Sequence, residues 1–131
     1  MNGYLADTSV FVAAEQRRAL GQPPSGDARI SVATLTELGV GVRRAASEPL
    51  RELREATLGR ARRFIALPYD EPVAGRLADL LATARDRQQR AGAMDAIIAA
   101  TALAHDLVVW TQDDGFDVLA ELAPALRVAR A

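Results

Sequence analysis

The sequence predicts an α/β fold in which a short parallel sheet is covered by helices on both faces. Two observations lead to this class. Short apolar runs alternate with longer stretches of helical periodicity, which is the order expected of βαβ units. The clearest of these runs, Leu107–Trp110, is β-branched, aromatic and uninterrupted, as a buried strand should be. The chain has 131 residues, half of them apolar, so we expect one compact domain over residues 1–131.

Five segments are predicted as strands because each is a short, mostly apolar run next to turn or helix signals. They are Tyr4–Ala6, Arg29–Val32, Ile65–Leu67, Leu107–Trp110 and, as a last edge strand, Leu126–Val128. Residues 21–27 are rich in Gly and Pro and are predicted as a loop.

The helices are predicted from apolar residues spaced three or four positions apart. They are Val10–Leu20, Ala33–Ala46, Pro49 to about Phe64, Asp70 to about Arg90, Ala93–His105 and Phe116–Leu122. The helix Ala93–His105 is almost entirely small and apolar, so we expect it to be buried on most sides.

The composition excludes several kinds of site. There is no Cys, which excludes disulfides, thiolate zinc sites and Cys nucleophiles. The single His, His105, is expected to interact with a helix C-terminus, so catalysis by a triad or by paired histidines is excluded. No apolar run approaches the roughly 18 residues that span a bilayer, and Met1–Asp7 lacks the basic region of a signal peptide. We therefore expect a cytoplasmic protein without a membrane partner.

Four acids are predicted to meet at one edge of the sheet. Asp7 directly follows the first strand, and Asp113 follows the strand Leu107–Trp110. Glu37 lies in the first turns of the helix after the second strand, and Asp95 lies near the start of a helix leading into the fourth. Crossover helices run antiparallel to their strands, so their N-termini share the edge at which parallel strands end. Ligand sites of α/β sheets form there.

Each acid also has a local explanation. Asp7 would N-cap the following helix, and Glu37 fits a capping box that starts at Thr34. Asp95 would favour a helix dipole, and Asp113 lies in a Gly-containing turn, where Asp is common. None of these roles requires the four acids to share one edge.

Several unpaired carboxylates at one edge repel and raise each other's pKa values, and a divalent cation relieves that repulsion. Ligands that are all oxygen favour Mg²⁺ or Mn²⁺. The expected reaction is attack on a phosphodiester by water that the metal has activated.

Every basic residue is Arg, and there is no Lys. Seven of the arginines lie between residues 43 and 63. This segment is either a solvated helix pair with i,i+4 Glu–Arg contacts or a surface for phosphates that includes Arg43 and Arg44.

The motifs around these acids, taken in order, resemble those of a known family. They are Leu5-Ala6-Asp7-Thr8-Ser9-Val10, Thr36-Glu37-Leu38-Gly39, Met94-Asp95-Ala96-Ile97-Ile98-Ala99-Ala100-Thr101-Ala102 and Trp110-Thr111-Gln112-Asp113-Asp114-Gly115-Phe116. The ordered set resembles the PIN-domain ribonucleases, and among them the VapC-like toxins of type II toxin–antitoxin systems. The resemblance implies a three-layer α/β/α sandwich and a Mg²⁺- or Mn²⁺-dependent endoribonuclease. It also implies a homodimer and inhibition by a small antitoxin whose tail enters the acidic site.

The resemblance also assigns residues. Asp7, Glu37, Asp95 and Asp113 match the catalytic, metal-binding acids of the family, and Thr8, Ser9 and Thr111 match nearby hydroxyls that orient ligands. Many relatives carry T-x-D-x-D-F, whereas Gly115 stands where the second Asp would be. Asp114 and Asp117 are the candidates to replace that acid.

The leading hypothesis from the sequence is a toxin that cleaves structured cellular RNA, with tRNA and rRNA as candidate substrates. Arg43 and Arg44 are the candidate RNA-binding residues. Two alternatives remain open: a non-catalytic PIN-like module that binds a metal or a basic peptide, and a nuclease that acts on DNA.

Overall fold

The structure is a computed structural model and describes residues 3–131. Met1 and Asn2, which belong to the N-terminal segment considered for a signal peptide, lie outside the described residues. The strands are β1 (Gly3–Ala6), β2 (Asp27–Ser31), β3 (Ile65–Leu67), β4 (Val108–Thr111) and β5 (Val128–Arg130). The helices are α1 (Thr8–Glu15), α2 (Val32–Arg43), α3 (Glu48–Ala61), α4 (Glu71–Asp86), α5 (Ala93–His105) and α6 (Gly115–Leu122).

The five strands form one parallel sheet in the order β3-β2-β1-β4-β5. Leu5 of β1 pairs with Arg29 on one side and Val109 on the other. The chain therefore builds outward from β1 in both directions, which leaves a topological switch point between β1 and β4. A crevice opens beyond the carboxyl ends of strands at such a point.

Helices cover both faces of the sheet and bury a core on each. Alternate residues of one strand face opposite sides, and Leu5 and Val109 accordingly join a core with helices α4, α5 and α6. Ala6 and Trp110, one position further along, join the other core with α1 and α3. This arrangement confirms the predicted three-layer α/β/α sandwich.

The five strands lie where the sequence predicts them, with ends shifted by one or two residues. β2 ends at Ser31 instead of Val32 because Ser31 is the N-cap of α2 and its side chain accepts a hydrogen bond from Ala33 N–H. The last strand is β5, Val128–Arg130, instead of Leu126–Val128, because Leu126 N–H still donates to Ala123 O in the turn that follows α6. β5 is an edge strand, as predicted.

Four helices end earlier than the sequence predicts, and two of them end in a left-handed turn. The predicted helix Val10–Leu20 is α1, which ends at Glu15, and the helix predicted to reach about Arg90 is α4, which ends at Asp86. Each is followed by a residue in the left-handed conformation, Arg17 or Gln88. The next N–H then donates to a carbonyl five residues back, which is the Schellman motif.

Neither of those left-handed positions is Gly, so the usual sequence signal for a helix end was absent. The other two helices end three residues earlier than predicted: α2 stops at Arg43, and α3 stops at Ala61. Within residues 3–131, no helix is long and apolar enough to cross a bilayer.

Candidate metal centre

Three of the four predicted acids converge beyond the carboxyl end of β1. Asp7 follows β1, Glu37 lies in the second turn of α2, and Asp95 lies in the first turn of α5. Each offers one carboxylate oxygen, and these oxygens all lie within 4.8 Å of one another. Asp7, Glu37 and Asp95 are called the acidic trio below.

Asp7 is both the N-cap of α1 and a member of the trio. Its Oδ2 atom accepts a hydrogen bond from Ser9 N–H at 3.2 Å and another from the Thr111 hydroxyl at 2.8 Å. Both bonds use the same oxygen, so neither occupies Oδ1. The side chain is buried, and these two bonds fix its orientation.

Glu37 is held by the hydroxyl of Thr8 instead of by a capping box. The predicted box starting at Thr34 is wrong because Ser31 is the N-cap, which places Thr34 one turn inside α2. Thr8 Oγ1 donates to Glu37 Oε1 at 2.6 Å and lies 3.0 Å from Thr34 Oγ1. Thr34 is fully buried, so its hydroxyl helps to fix the position of the Thr8 hydroxyl.

Asp95 does not cap its helix. Gly92 is the N-cap of α5, and no side chain among residues 3–131 caps this helix. The carboxylate therefore lies in the first helical turn, where the helix dipole favours negative charge, and contributes an oxygen to the trio.

Asp113 lies beside the trio without joining the group of closely spaced oxygens. Its N–H donates to Thr111 Oγ1 at 2.8 Å, and its Oδ1 accepts from Gly115 N–H at 2.9 Å. A Cβ atom built on Gly115 would lie 3.3 Å from Asp113 Oδ1 and 3.5 Å from Asp95 Oδ2. Position 115, where the family pattern has an acid, therefore faces both carboxylates.

The two candidates for that missing acid lie elsewhere. Asp114 forms an ion pair with Arg130 at 2.9 Å, and Asp117 also pairs with Arg130. Both acids are exposed. The structure therefore does not bring either of them into the acidic trio, and Gly115 is not replaced by a neighbour.

The hydroxyls of Ser9 and Thr111 complete a hydrogen-bonded layer beneath the acids. Their oxygens lie 3.1 Å apart, and Ser9 Oγ also accepts from Gln112 N–H at 2.9 Å. Thr111 is fully buried and contacts Asp7 and Asp113 at once. One side chain of β4 therefore sets the relative position of two acids.

The crowding of the carboxylates changes their proton affinity. Burial, together with the negative charges of Asp7, Asp113 and Glu37, raises the pKa of Asp95 to about 6. Burial also raises the pKa of Glu37, while the hydrogen bond from Thr8 opposes that change. A group of oxygen donors that repel one another fits a hard divalent cation such as Mg²⁺ or Mn²⁺.

A cavity of about 270 Å³ opens directly beside the trio. This adjacent cavity is lined by residues of α1, α2 and α3 and by the arginine after α2: Thr8, Val12, Glu15, Gln16, Glu37, Leu38, Gly41, Arg44 and Arg54. Of the two predicted RNA-binding arginines, Arg44 lines this cavity. Arg43 instead lines two other cavities of about 540 and 450 Å³, together with Leu58 and Arg62.

A model of the PIN domain matches residues 4–122 of the chain. The chain belongs to the PIN-domain family. This PIN-domain protein is 36% identical over 119 residues to Ribonuclease VapC4 of Mycobacterium tuberculosis, a match that covers 90% of this chain and 92% of the relative. It is 40% identical over 114 residues to Ribonuclease VapC5 of the same organism, covering 86% and 84%.

Solved structures agree with this assignment. The crystal structure of a member of the VapBC family of toxin–antitoxin systems, VapBC-5 from M. tuberculosis, has a TM-score of 0.88 at 33% identity and covers 100% of both chains. The crystal structure of FitAcB from Neisseria gonorrhoeae has a TM-score of 0.71 at 28% identity and covers 95% of each chain. The predicted family resemblance is confirmed.

Sequence reasoning did not single out Thr34 or Arg54 as residues of this site. Thr34 was considered only as the start of a capping box, although its distance of three positions from Glu37 places both on one helix face. Arg54 belongs to an arginine-rich segment whose members look alike in sequence. Only the packing of α3 against α2 shows that Arg54 reaches the adjacent cavity.

The pKa of Asp95 predicts how the metal-free protein responds to pH. Because this pKa is raised from about 4 to about 6, the folded protein keeps a proton that the unfolded chain releases between these values. The free energy of unfolding therefore falls as the pH rises through this window. In EDTA, Asp95→Asn should gain stability relative to the wild type from pH 4 to about pH 6.5, as measured by urea denaturation.

The matched control is Asp79→Asn, because Asp79 is exposed on α4. Its stability relative to the wild type should not change across the same pH range. A stability difference for Asp95→Asn that is constant with pH would contradict the account of the cluster.

Proposed function

We propose that this PIN-domain protein is a divalent-metal-dependent endoribonuclease and the toxin of a type II toxin–antitoxin pair. The observation that carries the proposal is the acidic trio, whose oxygens lie within 4.8 Å of one another. The relatives named ribonucleases VapC support RNA as the substrate of this cluster. Hydrolysis of internal phosphodiester bonds is the proposed reaction.

Mg²⁺ is the proposed cofactor, with Mn²⁺ as the alternative. Asp7, Glu37 and Asp95 would hold the ion, and Asp113 would contribute charge from the side of the site. When bound, such an ion supplies a Lewis acid that activates water and stabilises charge on the phosphate oxygens.

The hydroxyls around the acids would act as positioning groups. Thr8 restrains the carboxylate of Glu37, and Thr111 restrains that of Asp7. Hydrogen-bond partners that fix the orientation of metal ligands raise the affinity for the metal. The hydroxyl of Ser9, at the start of α1, hydrogen-bonds to that of Thr111 in β4. This bond links the two elements on either side of Asp7.

The proposed partners are RNA, a small antitoxin and a second copy of the chain. The VapBC-5 structure is that of a member of a toxin–antitoxin family, which supports the antitoxin. A toxin that cleaves cellular tRNA or rRNA would act in the cytoplasm. Residues 1–131 would form a single domain that carries the whole site.

A non-catalytic module that binds a metal or a basic peptide is the second candidate function. It is favoured by Gly115, which leaves the position facing Asp95 and Asp113 without a carboxylate. Such a module would bind Mn²⁺ and cleave no RNA.

Loss of a trio carboxylate should abolish RNA cleavage. Asp7→Asn and Asp95→Asn each keep the size of the side chain but remove a charge from the cluster. Cleavage of total tRNA and rRNA with Mg²⁺ should fall by more than the roughly 10- to 100-fold that loss of an outer-shell partner costs. The readout is sequencing of RNA 5′ ends after a timed digestion.

Asp79→Asn is again the control and should keep full activity. Full activity in either trio variant would contradict the proposal. A wild-type protein that binds Mn²⁺ and leaves every RNA intact would favour the non-catalytic module, and faster cleavage of a matched DNA hairpin would favour a DNA nuclease.

Removal of the Thr8 hydroxyl that holds Glu37 should weaken metal binding without abolishing it. Thr8→Val deletes the 2.6 Å hydrogen bond to Glu37 and should weaken Mn²⁺ binding roughly 10- to 100-fold, as measured by calorimetry. Thr36→Val removes an exposed hydroxyl that bonds to the backbone of its own helix and should bind Mn²⁺ like the wild type. Equal affinity in Thr8→Val and the wild type would exclude this positioning role.

A further inference from the structure

The adjacent cavity is continuous with the acidic trio. Thr8 and Glu37 line one end of it, and they are joined by the 2.6 Å hydrogen bond that holds Glu37 within the trio. A group placed in the cavity would therefore lie next to anything bound over the acids. Its volume of about 270 Å³ is just below the range of roughly 300–1,000 Å³ usual for small-molecule sites. That size suits one nucleotide.

Two arginines in this cavity are free to bind an anion. Arg54 Nη1 donates to Gly41 O at 2.8 Å, which fixes the guanidinium of Arg54 in the cavity wall and leaves its other N–H groups available. Within residues 3–131, neither Arg54 nor Arg44 forms an ion pair. Arg51 of the same segment differs, because it pairs with Glu48 and Glu55.

The remaining lining suits the base and sugar of a nucleotide. Val12 and Leu38 are apolar and lie between α1 and α2. Glu15 and Gln16, from the end of α1, add polar groups. The carboxylate of Glu15 accepts a hydrogen bond from the buried Thr57 hydroxyl at 2.7 Å, so it is oriented without an arginine partner. Apolar walls with a few fixed polar groups are typical of sites for small organic ligands.

We propose that the adjacent cavity binds one nucleotide of single-stranded RNA beside the phosphodiester that is cut, with Arg44 and Arg54 on its phosphate. The inference rests on the proposed function, because it takes RNA as the substrate. It assigns different roles to two neighbouring arginines: Arg44 belongs to the substrate site, whereas Arg43 bonds to its own helix at Gly39 O and faces other cavities. An unpaired strand is required because a paired nucleotide cannot enter a cavity of this size.

The test measures RNA binding without cleavage. Asp95→Asn protein in EDTA is titrated with fluorescein-labelled, random single-stranded RNA, and fluorescence anisotropy gives Kd. Adding Arg44→Ala or Arg54→Ala should raise Kd roughly 10- to 100-fold, as expected for loss of a charge-assisted bond to phosphate. Each substitution should also reduce the slope of log Kd against log salt concentration by about one.

Arg62→Ala is the control for charge, since Arg62 directly follows α3 but lines the other cavities. It should leave Kd within about twofold of the parent, because substitution of an exposed side chain outside a site usually changes a free energy by no more than about 0.5 kcal/mol. Equal losses in all three arginine variants would overturn the proposal, because they would indicate binding by net charge alone. No loss in any of them would overturn it as well.

A second variant fills the cavity without removing charge. A Cβ atom on Gly41 would lie 3.8 Å from Arg54 Cδ, which is an ordinary contact, so Gly41→Leu can fold and place its side chain in the cavity. It should raise Kd like the arginine variants and leave Mn²⁺ binding unchanged, whereas unchanged RNA affinity would overturn the proposal.

In the cleavage assay with Mg²⁺, Arg44→Ala and Arg54→Ala should raise KM with little change in kcat. Absence of cleavage by the wild type would count against the proposed function, while the binding results would still decide the nucleotide site.

Discussion

The repulsion among three carboxylates is the constraint on which the rest of the structure depends. Asp7, Glu37 and Asp95 bring their oxygens within 4.8 Å, and burial of Asp95 makes its charge still less favourable. Hydrogen bonds from neighbouring groups restrict the side chains of Asp7 and Glu37 and keep them in the cluster. Thr111 and Ser9 N–H hold Asp7, and Thr8 holds Glu37. The hydrogen bonds hold the three carboxylates in place but do not neutralise their charges. A cation bound between them would neutralise these charges and so remove the repulsion.

The sheet order explains why this cluster can exist in so small a chain. β1 lies at the centre with β2 and β4 on either side, so the segments that follow these three strands are neighbours at one edge. α5 enters the same edge because it runs back against the sheet before β4. Acids at positions as distant as 7 and 95 therefore meet without any long loop to carry them. The adjacent cavity extends the same edge between α1 and α2, toward the arginines of the α2–α3 hairpin.

The alternation of short apolar runs with helical periodicity predicts the parallel sheet and its two helical layers, and chain direction predicts the edge that holds the acids. Chain direction places Asp7, Glu37 and Asp95 correctly because it depends only on which end of a strand or helix a residue follows. Helix ends were less predictable, since Arg17 and Gln88 adopt the left-handed conformation usually given to Gly.

Contacts within the site depend on rotation about the helix axes and could not be predicted. Arg43 and Arg44 are adjacent in sequence, yet only Arg44 lines the adjacent cavity. Thr34 and Glu37 have the spacing of a capping box, yet the helix starts at Ser31, and both side chains meet Thr8 instead.

Electron paramagnetic resonance of added Mn²⁺ tests the central claim most directly, because it counts free and bound ions without relying on activity. The account predicts that the wild-type protein binds Mn²⁺ at a site from which Mg²⁺ displaces it, and that Asp7→Asn loses this binding. Equal binding of Mn²⁺ by the wild type and Asp7→Asn would contradict the account, as would the absence of any bound Mn²⁺ in the wild type.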